Sequence, residues 1–390
     1  MPVKKNTIVL ACISLAWFLI LSGRYSISNL LPDIVEDLGF GWTQAGAALS
    51  VMWLFYAIMQ FPSGVFSDVK GRRISILLSM MVFSFAYVLV GFSLNYTMFL
   101  FAVVLLGAGT GMYPPAGVSM ITDIFQKNRG KALSVRSSAG SLAYGVPLLA
   151  AWFGGLYGWR SFFFLWSAVC FIGVGVFYLG THESTVLPSV VSLRERVVDG
   201  FKVFSKKGVL LIFVVNLFAA ITWISYMSFY PSFLIVARGF SEVQAALALV
   251  VLGVGGFVFK PIVGSLADRF DRKLILLSLC FIASIGALVL VWVEPVWLIL
   301  LVSFIPSLAT AMFPVIESFL MDSFEEKGRA GKLGFYRTVL ILLASPSATV
   351  IGVLADTYSF EVPFIGLSLI LFAAALVLGF ERLYSRLTVK

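Results

Sequence analysis

Hydrophobic residues fall in twelve long runs separated by short polar breaks. A helix of about 20 apolar residues crosses a hydrocarbon core of about 30 Å, and every run is long enough to do so. The predicted spans in the first half are residues 7–31, 43–67, 74–94, 97–125, 132–156 and 159–180. Those in the second half are 208–236, 243–267, 274–293, 296–324, 333–354 and 362–380. The turns at Gly158 and at Glu294 and Pro295 are very tight. The sizeable polar stretch, 181–207, separates six runs from six. The pattern therefore predicts an all-α integral membrane protein with an N-terminal six-helix bundle (1–180), a cytoplasmic linker (181–207) and a C-terminal six-helix bundle (208–390).

Composition removes the soluble classes. Of the 390 residues 60% are apolar and 12% charged, against about 25% charged in a soluble domain. The apolar run behind Lys4 and Lys5 is too long for the core of a cleavable signal, so it is expected to be the first span. Net charge is +9, and the placement of the charges is more informative than their sum. One side of the predicted membrane carries Lys4, Lys5, Lys70, Arg72, Arg73, Lys127, Arg129, Lys131, Arg194, Arg196, Lys202, Lys206 and Lys207. The same side continues with Arg269, Arg272, Lys273, Lys327, Arg329, Lys332, Arg382, Arg386 and Lys390, 22 of the 28 basic residues. The other side carries only Arg160 and Arg238. That bias predicts both termini and the linker on the cytoplasmic side, and an extra or missing span would have scrambled it.

No basic stripe with interleaved aromatics is present, so nucleic acid is not an expected partner. Cys12, Cys170 and Cys280 lie in apolar runs of different spans and are expected to be packed thiols, with no disulfide and no metal. His182 is the single histidine and cannot form a metal cluster by itself. With no nucleophile–base set visible, neither an enzyme nor a cofactor is expected.

The two halves repeat one pattern. The end of the second span carries Gly64, Asp68, Gly71, Arg72 and Arg73; the end of the eighth carries Gly264, Asp268, Asp271, Arg272 and Lys273. Asp123 is answered by Asp322, Lys131 by Lys332, and Arg136 by Arg337. Such internal symmetry is how transporter folds are built, with substrate near the midplane between repeats. These residues make the whole chain resemble the major facilitator superfamily, whose signature loop is Gly-x-x-x-Asp-(Arg/Lys)-x-Gly-Arg-(Arg/Lys). Val69 departs from the pattern in the first copy and Asp271 in the second.

The resemblance implies a secondary transporter, a monomer by the default of the family, that moves a small-molecule substrate across the bilayer, with a proton or counter-substrate as the coupling partner. It also implies gating latches at Gly64, Asp68, Arg72, Arg73, Gly264, Asp268, Arg272 and Lys273. The two glycines are expected to allow close helix approach. Asp123 and Asp322 are expected to partner Arg72 and Arg272, with Arg136 and Arg337 near enough to join these networks.

Ionisable residues inside a span cost roughly 2.5–3.5 kcal/mol on insertion scales and are functional candidates. Arg24 lies beyond the middle of the first span, Lys260 about two turns from the end of the eighth, and Glu317 at comparable depth in the tenth. A guanidinium is a permanently charged, bidentate fork for carboxylate or phosphate. Arg24 is therefore the primary candidate for binding an anion, against a plain reading in which it snorkels to the surface. Arg24 with Pro32 eight residues on resembles the first helix of the organophosphate:phosphate antiporters and of the sialin-like anion:cation symporters. Both likenesses are incomplete. The second arginine of the phosphate clamp falls on Ile224, and the acid that precedes the arginine in sialin-like carriers falls on Gly23.

Lys260 is either the ion-pair partner of Glu317 or a second anion contact, and Glu317 is the candidate proton carrier. Tyr25, Tyr56, Tyr113, Tyr144, Trp223, Tyr226 and Tyr230 are candidate cavity walls or simple packing residues; Tyr226 and Tyr230 share a helix face. The run Gly107, Gly109, Gly111, Pro114 and Pro115 follows no strand, so it fits tight helix packing rather than a dinucleotide loop. The efflux signature of drug antiporters is incomplete, with Val103 in place of an arginine and Val146 between Gly145 and Pro147. The expected function is transport of a small organic anion, with efflux of hydrophobic compounds as the alternative and a non-transporting sensor as a remote third.

Overall fold

The computed structural model describes residues 2–182, 200–205, 208–324 and 329–388. Most of the linker expected at 181–207 lies outside the described residues, as do Arg194, Arg196, Lys206, Lys207, Lys327 and Lys390. Two compact units are present, Met1–Leu193 and Arg194–Lys390.

The first unit contains α1 (Pro2–Asn29), α2 (Leu31–Leu38), α3 (Trp42–Lys70), α4 (Arg72–Gly91), α5 (Tyr96–Ile124), α6 (Arg129–Leu142), α7 (Val146–Tyr157) and α8 (Trp159–Gly180). The second contains α9 (Val209–Ser232), α10 (Glu242–Arg269), α11 (Arg272–Trp292), α12 (Val296–Val302), α13 (Leu308–Ser323), α14 (Arg329–Ala344), α15 (Ser347–Thr357) and α16 (Glu361–Thr388). Among the described residues eleven stretches are long and apolar enough to span a membrane. The remaining predicted span, 296–324, is broken between α12 and α13, where Pro306 lacks the N–H that would continue the ladder. The chain thus has the twelve-span, all-α fold.

Other departures from the predicted spans follow from proline and glycine. Pro32 starts a separate short helix, α2, which ends on Gly39 in the left-handed conformation (φ 65°). The fifth span is α6 and α7 joined by a 3-10 turn, Ala143–Gly145, just before Pro147. The seventh ends in a π-turn, Phe233–Ala237, that follows Pro231.

Within each unit corresponding helices meet: α3 packs on α5 and α4 on α8 in the first, α10 on α13 and α11 on α16 in the second. Buried serines repeat the pattern. Ser167 on α8 donates to the Ser84 carbonyl of α4 at 2.9 Å, and Ser368 on α16 donates to the Ser284 carbonyl of α11 at 2.8 Å. Where lipid offers nothing polar, such hydroxyls hold helices together. The glycine run of α5 makes the close approach expected of it. A side chain at Gly107 or Gly111 would collide with the backbone of Met52 or Tyr56 on α3. The three cysteines are buried thiols.

Candidate functional site

The first unit surrounds Arg24 with aromatic rings. Arg24 is 5% exposed, and its guanidinium carbon lies 4.5 Å from the Trp53 ring centroid, 5.0 Å from Tyr56 and 5.7 Å from Tyr25. Trp53 and Tyr56 are three apart on α3 and so face the same way. Tyr25 stacks on Tyr144, in the turn between α6 and α7, with centroids 4.4 Å apart. Each ring face attracts the cation by about 0.5–2 kcal/mol and leaves the planar N–H edges of a guanidinium to hydrogen-bond acceptors. Trp53 was not among the candidates, although its spacing from Tyr56 on one helix face was the signal that could have found it.

Gly23 explains one departure from the sialin-like pattern. The Tyr87 hydroxyl donates to the Gly23 carbonyl, and a Cβ at Gly23 would lie 2.8 Å from that hydroxyl. An acid has no room there. Ile224 and Val103, at the two positions where related patterns carry arginine, are fully buried.

In the second unit Tyr226 and Tyr230 lie on one face of α9, rings 5.3 Å apart. Tyr230 shares a hydrogen bond of 2.5 Å with Ser303, in the break of the tenth span. The Tyr226 hydroxyl is buried and has no hydrogen-bond partner among the described residues. Trp223 lies edge-on to Phe313 at 6.1 Å.

Three expectations need correction. The direct ion pair of Glu317 on α13 is with Arg337 on α14, while Lys260 stays within reach of the Glu317 charge without bonding to it. Lys260 is half-buried and forms no direct ion pair among the described residues, although the Glu317 carboxylate attracts it across a longer distance; a guanidinium makes the stronger, charge-assisted contact with that carboxylate. Arg136 does not join an acidic network: its guanidinium carbon lies 4.3 Å from the Trp17 ring and 5.3 Å from the Tyr113 ring. Gly64 and Gly264 are not pressed against a neighbouring helix. A Cβ at Gly64 would meet only Pro115, at an ordinary 3.6 Å, and one at Gly264 would meet nothing within 4 Å.

The signature loops are tied within their own units. Arg72 bridges Asp68 and, at 3.4 Å, Asp123, while Arg272 reaches Asp322 at 2.6 Å. Asp268 is exposed and has no such pair among the described residues. Arg73 donates to the Tyr178 carbonyl (2.7 Å) and Lys273 to Glu381 (2.6 Å), so each loop is fastened to the last helix of its unit. Asp271 caps α11 by accepting from the Lys273 amide at 2.9 Å and also takes Arg382 at 2.9 Å. On the side with few basic residues Asp37 of α2 pairs with Arg160, whose other nitrogen donates to the Ser93 carbonyl at 2.9 Å. Asp37 and Glu381 carry no repeat signal in the sequence.

With this geometry in place, known proteins supply the context. A family model described as Major Facilitator Superfamily matches residues 13–292 and 212–387. The chain is 27% identical to the multidrug resistance protein MdtG of Proteus mirabilis, over 94% of this chain and 92% of that protein. It is 34% identical to a protein of Escherichia coli K12 named "Probable L-galactonate transporter", over 41% of this chain and 36% of that one. Among solved structures, a bacterial homologue of the lysosomal transporter Spinster superposes with a TM-score of 0.79 at 18% identity, covering 96% of this chain and 95% of the other. The nucleoside transporter NupG superposes with a TM-score of 0.81 at 14% identity, covering 95% and 99%.

Proposed function

We propose that this chain, which belongs to the major facilitator superfamily, carries a small organic anion across the cytoplasmic membrane by alternating access, with Arg24 as the anion contact. The observation that carries the reading is the burial of the Arg24 guanidinium among Tyr25, Trp53 and Tyr56. A permanent charge held at that depth on ring faces is matched to an anionic substrate. Tyr226, with its unpartnered buried hydroxyl, and Lys260, which lacks an ion pair among the described residues, are the contacts assigned to the second bundle. The Glu317–Arg337 pair is the assigned coupling element, because protonating the carboxylate would release the arginine. The signature loops, with Arg72, Asp123, Arg272 and Asp322, are the assigned gate.

The bundles are 1–180 and 208–390, joined by 181–207, with both termini on the cytoplasmic side, and the carrier works as a monomer. The likeness to a galactonate transporter over part of the chain supports a hydroxylated carboxylate as substrate.

A second reading, efflux of hydrophobic compounds, is favoured by the likeness to MdtG across nearly the whole chain. Thermal stabilisation of the purified protein by sugar acids, dicarboxylates, organophosphates, sugars and lipophilic drugs separates the two. A ligand of the folded state raises its stability by mass action whatever the coupling ion. Stabilisation by one anion class, weakened about 10- to 100-fold in R24Q as a charged hydrogen bond of about 1.5–3 kcal/mol is lost, supports the anion reading. Stabilisation by lipophilic drugs alone, unchanged in R24Q, refutes it in favour of efflux.

A further inference from the structure

The repeat that relates Arg136 to Arg337 breaks at the counter-charge. Arg337 on α14 finds Glu317 twenty residues earlier, on α13. Twenty residues before Arg136, on α5, stand Ala116, Gly117 and Val118. No ion pair involves Arg136 among the described residues. Its guanidinium lies instead against Trp17 and Tyr113, whose rings are stacked on each other 5.1 Å apart at 14°. Tyr113 is itself fixed by a 2.5 Å hydrogen bond to the Ile13 carbonyl of α1, and Gly140, one turn beyond Arg136, gives the Trp17 indole its place. The cage is therefore built by three helices. It engages the faces of the cation and, through the Tyr113 hydroxyl, part of its edge, and leaves the buried Nε–H of Arg136 without a hydrogen-bond partner among the described residues.

A second observation places this cage in line with Arg24. Trp17 and Arg24 are seven residues apart on α1, hence on one face and about 10 Å apart along the axis. Arg136 and Tyr144 are eight apart along the helix that faces α1, and Tyr144 stacks on Tyr25. The interface of α1 with the fifth span thus carries two arginine–aromatic layers, Arg24 with Tyr25 and Tyr144, then Arg136 with Trp17 and Tyr113.

We propose that Arg136 is a second anion-binding position, two helical turns from Arg24 on the same helix interface, which takes a carboxylate or phosphate group on its way between Arg24 and the cytoplasmic side. A guanidinium within a span and without a counter-charge is costly. Stacking on ring faces and the hydrogen bond with Tyr113 offset part of that cost, and an anion on the remaining donors of the guanidinium adds the charged hydrogen bonds that offset the rest. The inference rests on the anion-carrier reading and extends it from one contact to two.

The test uses the purified protein and its R24Q, R24Q/R136Q and R24Q/R136K variants, with L-galactonate, inorganic phosphate and phosphatidylglycerol as probes. Thermal stabilisation is titrated for each. The expected result is full stabilisation of the wild-type protein by one of the free anions, and a residual response in R24Q at least tenfold weaker in apparent affinity. That residual response disappears in R24Q/R136Q and survives in R24Q/R136K, which keeps the charge. A residual response equal in R24Q and R24Q/R136Q overturns the proposal, as does none in R24Q while the wild-type protein responds. So does a response at Arg136 to phosphatidylglycerol but to neither free anion, which would assign the position to a lipid headgroup. A wild-type protein unmoved by both free anions overturns the carrier reading and this one together.

Discussion

Gly71 and Asp271 occupy the same place in the two signature loops, and their backbones differ. Gly71 has φ 98° and ψ 150°, a conformation that only glycine adopts readily. Asp271 has φ −58° and ψ 117°, open to any residue. The Gly71 conformation is held from both sides, since its amide donates to the Ser67 carbonyl at 3.2 Å and its carbonyl accepts from Ser75 at 3.3 Å. It is this bend that turns α4 back so that Arg72 reaches Asp68 and Asp123. Replacing Gly71 by alanine should therefore cost about 1–3 kcal/mol.

For a unit the size of Met1–Leu193 each kcal/mol corresponds to about 2–4 °C in melting temperature, so G71A should melt roughly 2–12 °C lower. D271G should do much less. Exchanging an aspartate cap for glycine costs a few tenths of a kcal/mol, and the solvent-screened pair with Arg382 contributes about 0–1 kcal/mol. Melting curves in one detergent at one scan rate provide the comparison, because unfolding of such proteins is rarely reversible. G71A melting within a degree of the wild-type protein, or D271G falling further than G71A, would refute the backbone argument.

Two further outcomes follow from the second unit. Removing the unpartnered hydroxyl in Y226F should leave melting unchanged or raise it, because a buried unsatisfied group costs about 1–3 kcal/mol; the affinity of the anion found in the ligand screen should fall meanwhile. Lower melting together with unchanged affinity would show that the hydroxyl serves the fold. E317Q keeps the shape of the side chain and an oxygen that can accept from Arg337, so the protein should stay folded. Uptake driven by a pH gradient in proteoliposomes should be lost while substrate exchange continues; persistence of both would remove Glu317 from the coupling role.

The spans were legible because their signal is additive over twenty residues and survives local exceptions. What escaped was local or tertiary. The short helix α2 is too brief and too polar to register as a span, and the break between α12 and α13 sits in a stretch whose apolar composition continues across it. Within the site, the pairs of Arg72 with Asp123 and Arg272 with Asp322 were legible because both members recur at nearly the same offset. The partner of Glu317 was not, since Lys260 and Arg337 lie at similar depth and the choice depends on how α10 and α14 are rotated against α13. The same holds for Arg136, whose partners are rings that carry no charge signal.

On the proposed reading, the mismatch between the repeats is where function departs from fold. The signature loops and the serine contacts between spans recur in both units, as parts that hold a helix bundle together must. Among the intramembrane charges the Arg136 and Arg337 positions recur but their partners do not, and Arg24, Lys260 and Glu317 have no charged counterpart. In the first unit Arg24 and Arg136 both lie on aromatic faces, an arrangement that keeps a permanent positive charge. In the second, Arg337 is matched by a carboxylate that protonation can neutralise. A carrier of neutral hydrophobic compounds gains nothing from two caged cations, because each costs energy to insert and offers such a substrate no complementary charge. An anion carrier needs both parts, a fixed cation to hold the substrate and a titratable pair to couple its passage. On the proposed reading these two tasks are divided between the units.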